Sequence, residues 1–175
     1  MKKIIYLFLI LFVAKTHAQF GGRSMRNQLP QTQSTPKAPE FKVERYVGVI
    51  YYNIAKAVKK SGIDLSSKKG KQFASLLKIY NRDTDQIKRI NSFTLRSTKD
   101  MVENFQNNAL KTGDLSNQKK IQKTMVENLK PIVEAIKVED KNLDDKIVAL
   151  LSEKQYKKWI KYNKKNHKLI LKRKE

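Results

Sequence analysis

The sequence predicts an all-α fold of long antiparallel helices, arranged as a hairpin or an open bundle behind a disordered N-terminal arm. Apolar residues recur at steps of three and four over most of the chain, which is the helical period, and no long stretch alternates with a period of two. The 175 residues include only 6 glycines and 4 prolines. A β-sandwich needs many tight turns and would contain more of both residues.

The first eighteen residues have the features of a cleavable signal peptide. Lys2 and Lys3 precede an unbroken apolar run over 4–14, and Thr16 and Ala18 occupy the −3 and −1 positions of a cleavage site. As a helix, this run spans about 16 Å, which is too short for a bilayer core of about 30 Å. An uncleaved N-terminal anchor is the alternative. We therefore expect export to the periplasm, with secretion to the exterior also open.

Removal of the leader takes away Lys2, Lys3 and Lys15, which lowers the formal net charge from +22 to +19. The chain has no cysteine, so disulfides, thiolate nucleophiles and thiolate zinc sites are excluded. Residues 19–41 are predicted to be a disordered arm, because they combine glycine, proline and glutamine with little to bury. Residues 42–175 then form a single helical domain.

Four helices are expected in this domain, at about 42–60, 66–110, 116–150 and 153–172. The apolar stripe of the second helix includes Ile90 but is weakened by Thr84, Thr94 and Thr98, which suggests that its middle faces solvent or a partner. Pro131 lies inside the third helix and predicts a kink there.

The start of the last helix carries a capping motif. Ser152 is placed as the N-cap, where its hydroxyl would accept from the backbone N–H of Gln155 while the Gln155 side chain reaches back. Leu151 and Tyr156 have the spacing of a hydrophobic staple. The motif thus predicts where the third helix ends and the last helix begins.

Leu151, Ser152 and Gln155 match a Leu-Thr-x-x-Gln motif with serine in place of threonine. Together with the signal peptide, the Pro/Gln-rich arm and the basic helices, this resembles the Spy/CpxP family of small periplasmic proteins. Leu65-Ser66 and Leu115-Ser116 lack the glutamine. The resemblance implies a cradle-shaped helical protein, often a homodimer, that acts as an ATP-independent holding chaperone or envelope-stress accessory on a basic, partly apolar concave face.

Positive charge is concentrated at the C-terminus, where ten Lys/Arg and one acid lie between Lys154 and Glu175. The expected binding residues, with aromatic side chains supplying apolar surface, are Tyr156, Trp159, Lys157, Lys158 and Lys161. Six acids lie from Glu134 to Glu153, just before this helix and at its first residue, and we expect them to pair with it across an antiparallel hairpin.

Several partners fit such a helix. Unfolded or acidic polypeptides agree with the family resemblance, and basic residues would steer them. A structural protein bound to an anionic membrane surface or another polyanion is the alternative. Nucleic acid is disfavoured by the compartment and by the scarcity of arginine for base contacts. A solvated face that keeps a thin bundle soluble is equally consistent with the charge.

Catalysis is not expected. His167 is the single histidine left after processing, and the chain has no Gly-x-Ser-x-Gly, His-Glu-x-x-His or phosphate-binding glycine loop. Asp140, Asp144 and Asp145 lack the spacing of an EF-hand calcium loop. No cofactor or metal is therefore predicted.

Overall fold

The structure, a computed structural model, describes the backbone of residues 38–172 and the side chains of residues 38–165. This part of the chain is all-α, as predicted, and it contains no strand. Its helices are Val43–Tyr46 (α1), Ile54–Ser61 (α2), Lys68–Ile90 (α3), Ser92–Thr112 (α4), Gln118–Leu150 (α5) and Glu153–Lys172 (α6). The signal peptide, the arm up to residue 37 and the side chain of His167 lie outside the described residues, so those expectations stay predictions.

The predicted helix at 42–60 is divided, because the chain turns at Gly48 with a φ of +86°. The segment that follows is held by a side chain of α3 in place of helical hydrogen bonds. The backbone N–H of Tyr52 donates to Oδ1 of Asn81, and Nδ2 of Asn81 donates back to the Tyr52 carbonyl, both at 2.9 Å. This reciprocal pair satisfies the backbone polar groups of Tyr52 at a point where the sequence period alone predicts a helix.

The predicted helix at 66–110 is divided at Asn91, which separates α3 from α4. The Asn91 side chain donates through Nδ2 to the Ile87 carbonyl at 2.8 Å, and its backbone N–H donates to the same oxygen at 3.1 Å. Asparagine competes in this way for backbone hydrogen bonds, which explains why the helix is interrupted there.

α3 and α4 run antiparallel to α5 and form the two arms of a helical hairpin. Tyr80 of α3 donates to Asp140 at 2.6 Å, whereas Asn128 donates to Thr98 of α4 at 3.2 Å, so residue numbers fall along α5 as they rise along the other arm. The turn begins at Gly113, whose φ of +73° favours glycine. The hairpin prediction is confirmed, and α5 continues as a helix through Pro131.

The main core lies at the open end of the hairpin, where α2 and α6 pack on the two arms. Its largest fully buried side chains include Trp159, Phe73, Leu77 and Ile147. Thr84 and Thr98 are also fully buried, so the prediction that this stretch faces solvent or a partner is wrong at both positions. The weak stripe is part of the helix packing.

Contacts of the helical unit begin before residue 42, the predicted domain boundary. The Phe41 backbone N–H donates to Oε1 of Glu103 at 3.0 Å, and Lys99 forms an ion pair with Glu40 at 3.1 Å. The residues just before α1 are therefore attached to α4. No helix in the described part of the chain is long and apolar enough to cross a membrane.

Candidate binding surfaces

Trp159 lies in the core and is only 1% exposed. Its ring centroid is 5.1 Å from that of Tyr52, 5.4 Å from that of Phe73 and 6.0 Å from that of Tyr162. The expectation that Trp159 supplies apolar surface for a ligand is therefore wrong, because the segment before α2 and helix α3 bring aromatic residues against this side of α6. Tyr162 is buried as well.

Three tyrosine hydroxyls surround this aromatic cluster and donate to side chains of the chain itself. Tyr52 donates to Asn163 at 2.7 Å, Tyr80 to Asp140 at 2.6 Å, and Tyr156 to both carboxylate oxygens of Asp144 at 3.1 Å. These bonds tie the half-buried Tyr156, a predicted binding residue, to α5 and leave its hydroxyl occupied.

Burial raises the pKa of both Tyr52 and Tyr80 well above the ordinary value, and the nearby Asp140 carboxylate adds to the effect. The pKa of Tyr156 is raised by desolvation and then by its bond to Asp144. All three hydroxyls are therefore protonated donors at neutral pH, and the cluster is a structural network.

The predicted ion pairs between the acidic and the basic helix do not form among the described side chains. Ion pairs in this region stay within one helix, as Lys141 with Asp145 at 3.0 Å and Lys157 with Glu153. Asp140 and Asp144 accept from tyrosines instead, so hydrogen bonds join α5 to its neighbours where charge pairing was expected. Within the described residues, no group of His, Asp or Glu could hold a metal ion.

The cap of α6 differs in detail from the predicted one. The Gln155 side chain accepts from the Ser152 backbone N–H at 3.2 Å, as a capping box requires. The Ser152 hydroxyl, however, donates to the same Gln155 oxygen at 3.0 Å rather than accepting from the Gln155 backbone. Leu151 belongs to the core cluster and Tyr156 packs against that cluster, in agreement with the staple.

The predicted lysines of α6 are exposed. One stripe recurs at steps of four, three and four, and comprises Lys154, Lys158, Lys161 and Lys165. Lys158 lies beside Gly62 at the end of α2: a Cβ placed on this glycine would be 2.7 Å from the Lys158 Nζ. The neighbouring helix α2 carries three further exposed lysines. We call the combined set the lysine face; its members are Lys56, Lys59, Lys60, Lys154, Lys158, Lys161 and Lys165.

A second surface lies where α3 meets α4. Ile90 is 71% exposed and Phe93 is 81% exposed, and the exposed Arg89 and Arg96 flank them. We call these four residues the junction patch. Sequence periodicity predicts that Ile90 lies on the buried stripe. This prediction is wrong, because Ile90 is the last residue of α3 and the helical period is interrupted at Asn91. Phe93 lies off the stripe, and its position two residues after this asparagine is the signal that could have drawn attention to it.

Comparisons of the chain with family models, with curated proteins and with solved structures found no match.

Proposed function

We propose that the chain is an exported helical protein of the periplasm that holds unfolded or acidic polypeptides without a nucleotide, as its resemblance to the Spy/CpxP family implies. The observation that carries this proposal is the junction patch. Ile90 and Phe93 expose most of their apolar surface to water, and arginines stand on both sides of them. An unfolded chain offers apolar side chains that can cover this surface, and acidic residues that the arginines attract.

The size of the patch sets the strength of such binding. Full burial of a large apolar side chain contributes about 1.5–3 kcal/mol, so two of them supply only a few kcal/mol. The translational and rotational freedom that a client loses on binding offsets much of this gain, so the patch alone binds a client weakly. The net charge of the protein raises the rate of encounter with acidic segments more than it slows release. The contact is therefore weak and reversible, which suits a protein that must release its client without ATP.

The test is suppression of aggregation of a chemically denatured client at low salt. Purified protein at stoichiometric ratio should suppress the light scattering, and the double variant Ile90→Gln and Phe93→Gln should lose most of this effect. The matched control is Val138→Gln with Val148→Gln, which removes two other exposed apolar side chains from α5. No suppression by the unaltered protein, or equal loss in both double variants, would contradict the proposal.

A second candidate function is structural association with an anionic membrane surface or another polyanion. The lysine face favours it, because α2 carries no acidic residue and Glu153 is the single acid of α6. Flotation with vesicles that contain anionic lipid tests this candidate. Absence of binding at low salt would rule it out.

A further inference from the structure

We propose that α2 and α6 dock together on a surface of anionic phospholipid headgroups through the lysine face, without inserting an aromatic side chain. This inference rests on the second candidate function. It adds α2 to the binding surface and specifies a peripheral mode of contact.

The two helices form one continuous surface. Tyr52, just before α2, donates to Asn163 of α6, whereas Lys158 of α6 reaches Gly62 at the other end of α2. Residue numbers therefore rise along α2 as they fall along α6, so the helices are antiparallel neighbours. Because Lys158 belongs to the lysine stripe of α6, the stripe passes the end of α2 at this residue.

Ion pairs within residues 38–165 leave the charge of this surface unneutralised. Among the described side chains, no member of the lysine face takes part in an ion pair. Glu153 is paired with Lys157, which lies outside the face. The seven lysines of the face are exposed and have no ion-pair partner among the described side chains, so they are available to anionic groups outside the protein.

The burial of the aromatic residues determines the mode of contact. Trp159 and Tyr162 are buried, and the half-buried Tyr156 is held by its bond to Asp144, so the part of α6 up to residue 165 has no fully exposed aromatic ring to place between lipid tails. Lysine is a strongly hydrated point charge on a flexible stem and imposes little geometry on its partner. A layer of mobile phosphate headgroups can meet lysines on two adjacent helices at once, whereas a single acidic polypeptide offers one line of charge.

Three variants of equal charge test the proposal by sedimentation with vesicles of phosphatidylglycerol and phosphatidylcholine in equal parts. The first replaces Lys154, Lys158 and Lys161 with glutamine, and the second replaces Lys56, Lys59 and Lys60. The control replaces Lys111, Lys119 and Lys120 near the hairpin turn, all exposed. Lys120 is about 45 Å along α5 from its end at Leu150, several times the Debye length of about 10 Å at 0.1 M salt.

Each lysine close to an anionic membrane changes partitioning about fivefold, so each face variant should bind about a hundredfold more weakly. The control should lose about twofold at most. Because Trp159 is the one tryptophan of the chain, its fluorescence reports insertion directly: lipids brominated in the acyl chain should not quench it.

The outcomes separate the inference from the function on which it rests. Polyglutamate serves as a second, lipid-free polyanion in the same assay. If the unaltered protein binds neither vesicles nor polyglutamate, both this inference and the second candidate function fail. If it binds vesicles but the control variant loses as much as the face variants, association survives and the lysine face is overturned. Quenching of Trp159 by brominated lipid overturns the peripheral mode. Binding to polyglutamate with no binding to vesicles overturns the lipid partner.

Discussion

Replacing Trp159 with alanine distinguishes the structural role of this residue from the binding role that its sequence context suggests. The side chain is 1% exposed and contacts the rings of Tyr52, Phe73 and Tyr162. These residues come from three separate parts of the chain, so removing the indole opens a cavity where α2, α3 and α6 meet.

The expected cost follows from the size of that cavity. Truncation of a buried Phe or Trp to alanine lowers the free energy of unfolding by about 3–5 kcal/mol, and each lost aromatic contact adds about 0.5–1.5 kcal/mol beyond area burial. The indole N–H has no hydrogen-bond partner, so its removal costs nothing on that account and relieves a buried unsatisfied group. We expect a loss of about 4 kcal/mol, which is a large part of the roughly 5–15 kcal/mol that stabilises a typical domain.

Urea unfolding followed by far-ultraviolet circular dichroism measures this loss, since the variant has no tryptophan left for fluorescence. The matched control is Phe93→Ala, which removes an aromatic side chain that is 81% exposed and should change the free energy of unfolding by less than about 0.5 kcal/mol. The reasoning would be refuted if Trp159→Ala lowered the free energy of unfolding by less than about 1 kcal/mol and also abolished client or vesicle binding. That result would indicate that Trp159 is a surface binding residue.

Three further predictions follow from single contacts. Gly70→Ala should lower the free energy of unfolding by about 3 kcal/mol, because its Cβ would lie 1.9 Å from the Asp64 carbonyl oxygen. Gly113→Ala, whose Cβ meets nothing within 4 Å, should lower it by only about 1 kcal/mol through backbone strain at positive φ, and equal urea midpoints for the two variants would contradict this. Tyr80→Phe should cost about 1–2 kcal/mol in the same assay, since it removes the bond to Asp140; an unchanged midpoint would show that this bond contributes nothing. The pKa of Tyr52 and of Tyr80 is raised in the folded state, so the stability that they contribute is fully present below the unfolded pKa of about 10 and is lost as pH rises above that value. Tyrosinate absorbance should therefore rise cooperatively with loss of the helical signal, and ionisation of these tyrosines near pH 10 with the helices intact would disprove this prediction.

The fold was largely predictable because helices depend on local periodicity. The all-α class, the antiparallel hairpin and the starts of the last two helices follow from steps of three and four and from local capping chemistry. At Gly48 and Asn91 the sequence predicts a continuous helix where the structure has a break, because a backbone turn or a side chain competes with the helix there. The Asn81 side chain that holds Tyr52 is 29 residues away, and no local pattern reports such a contact.

The candidate surfaces were less predictable. Lys157, Lys158 and Lys161 are exposed as expected, because a charged side chain avoids burial regardless of its neighbours. Trp159 lies inside and Phe93 outside, although both are aromatic residues on helices. Which of the two is covered depends on whether another helix packs on that side, and helix periodicity does not contain this information.

By itself, the sequence determined the helical class, the order of the hairpin and the concentration of lysine in the last helix, because each depends on residues near one another in the chain. Only the tertiary structure decided that Trp159 and Tyr162 of α6 are buried, that Lys158 lies beside the end of α2 and that Ile90 and Phe93 remain exposed to water. These outcomes depend on contacts between residues up to 111 positions apart, as between Tyr52 and Asn163. Such contacts form only when the chain folds, so no local sequence pattern contains them.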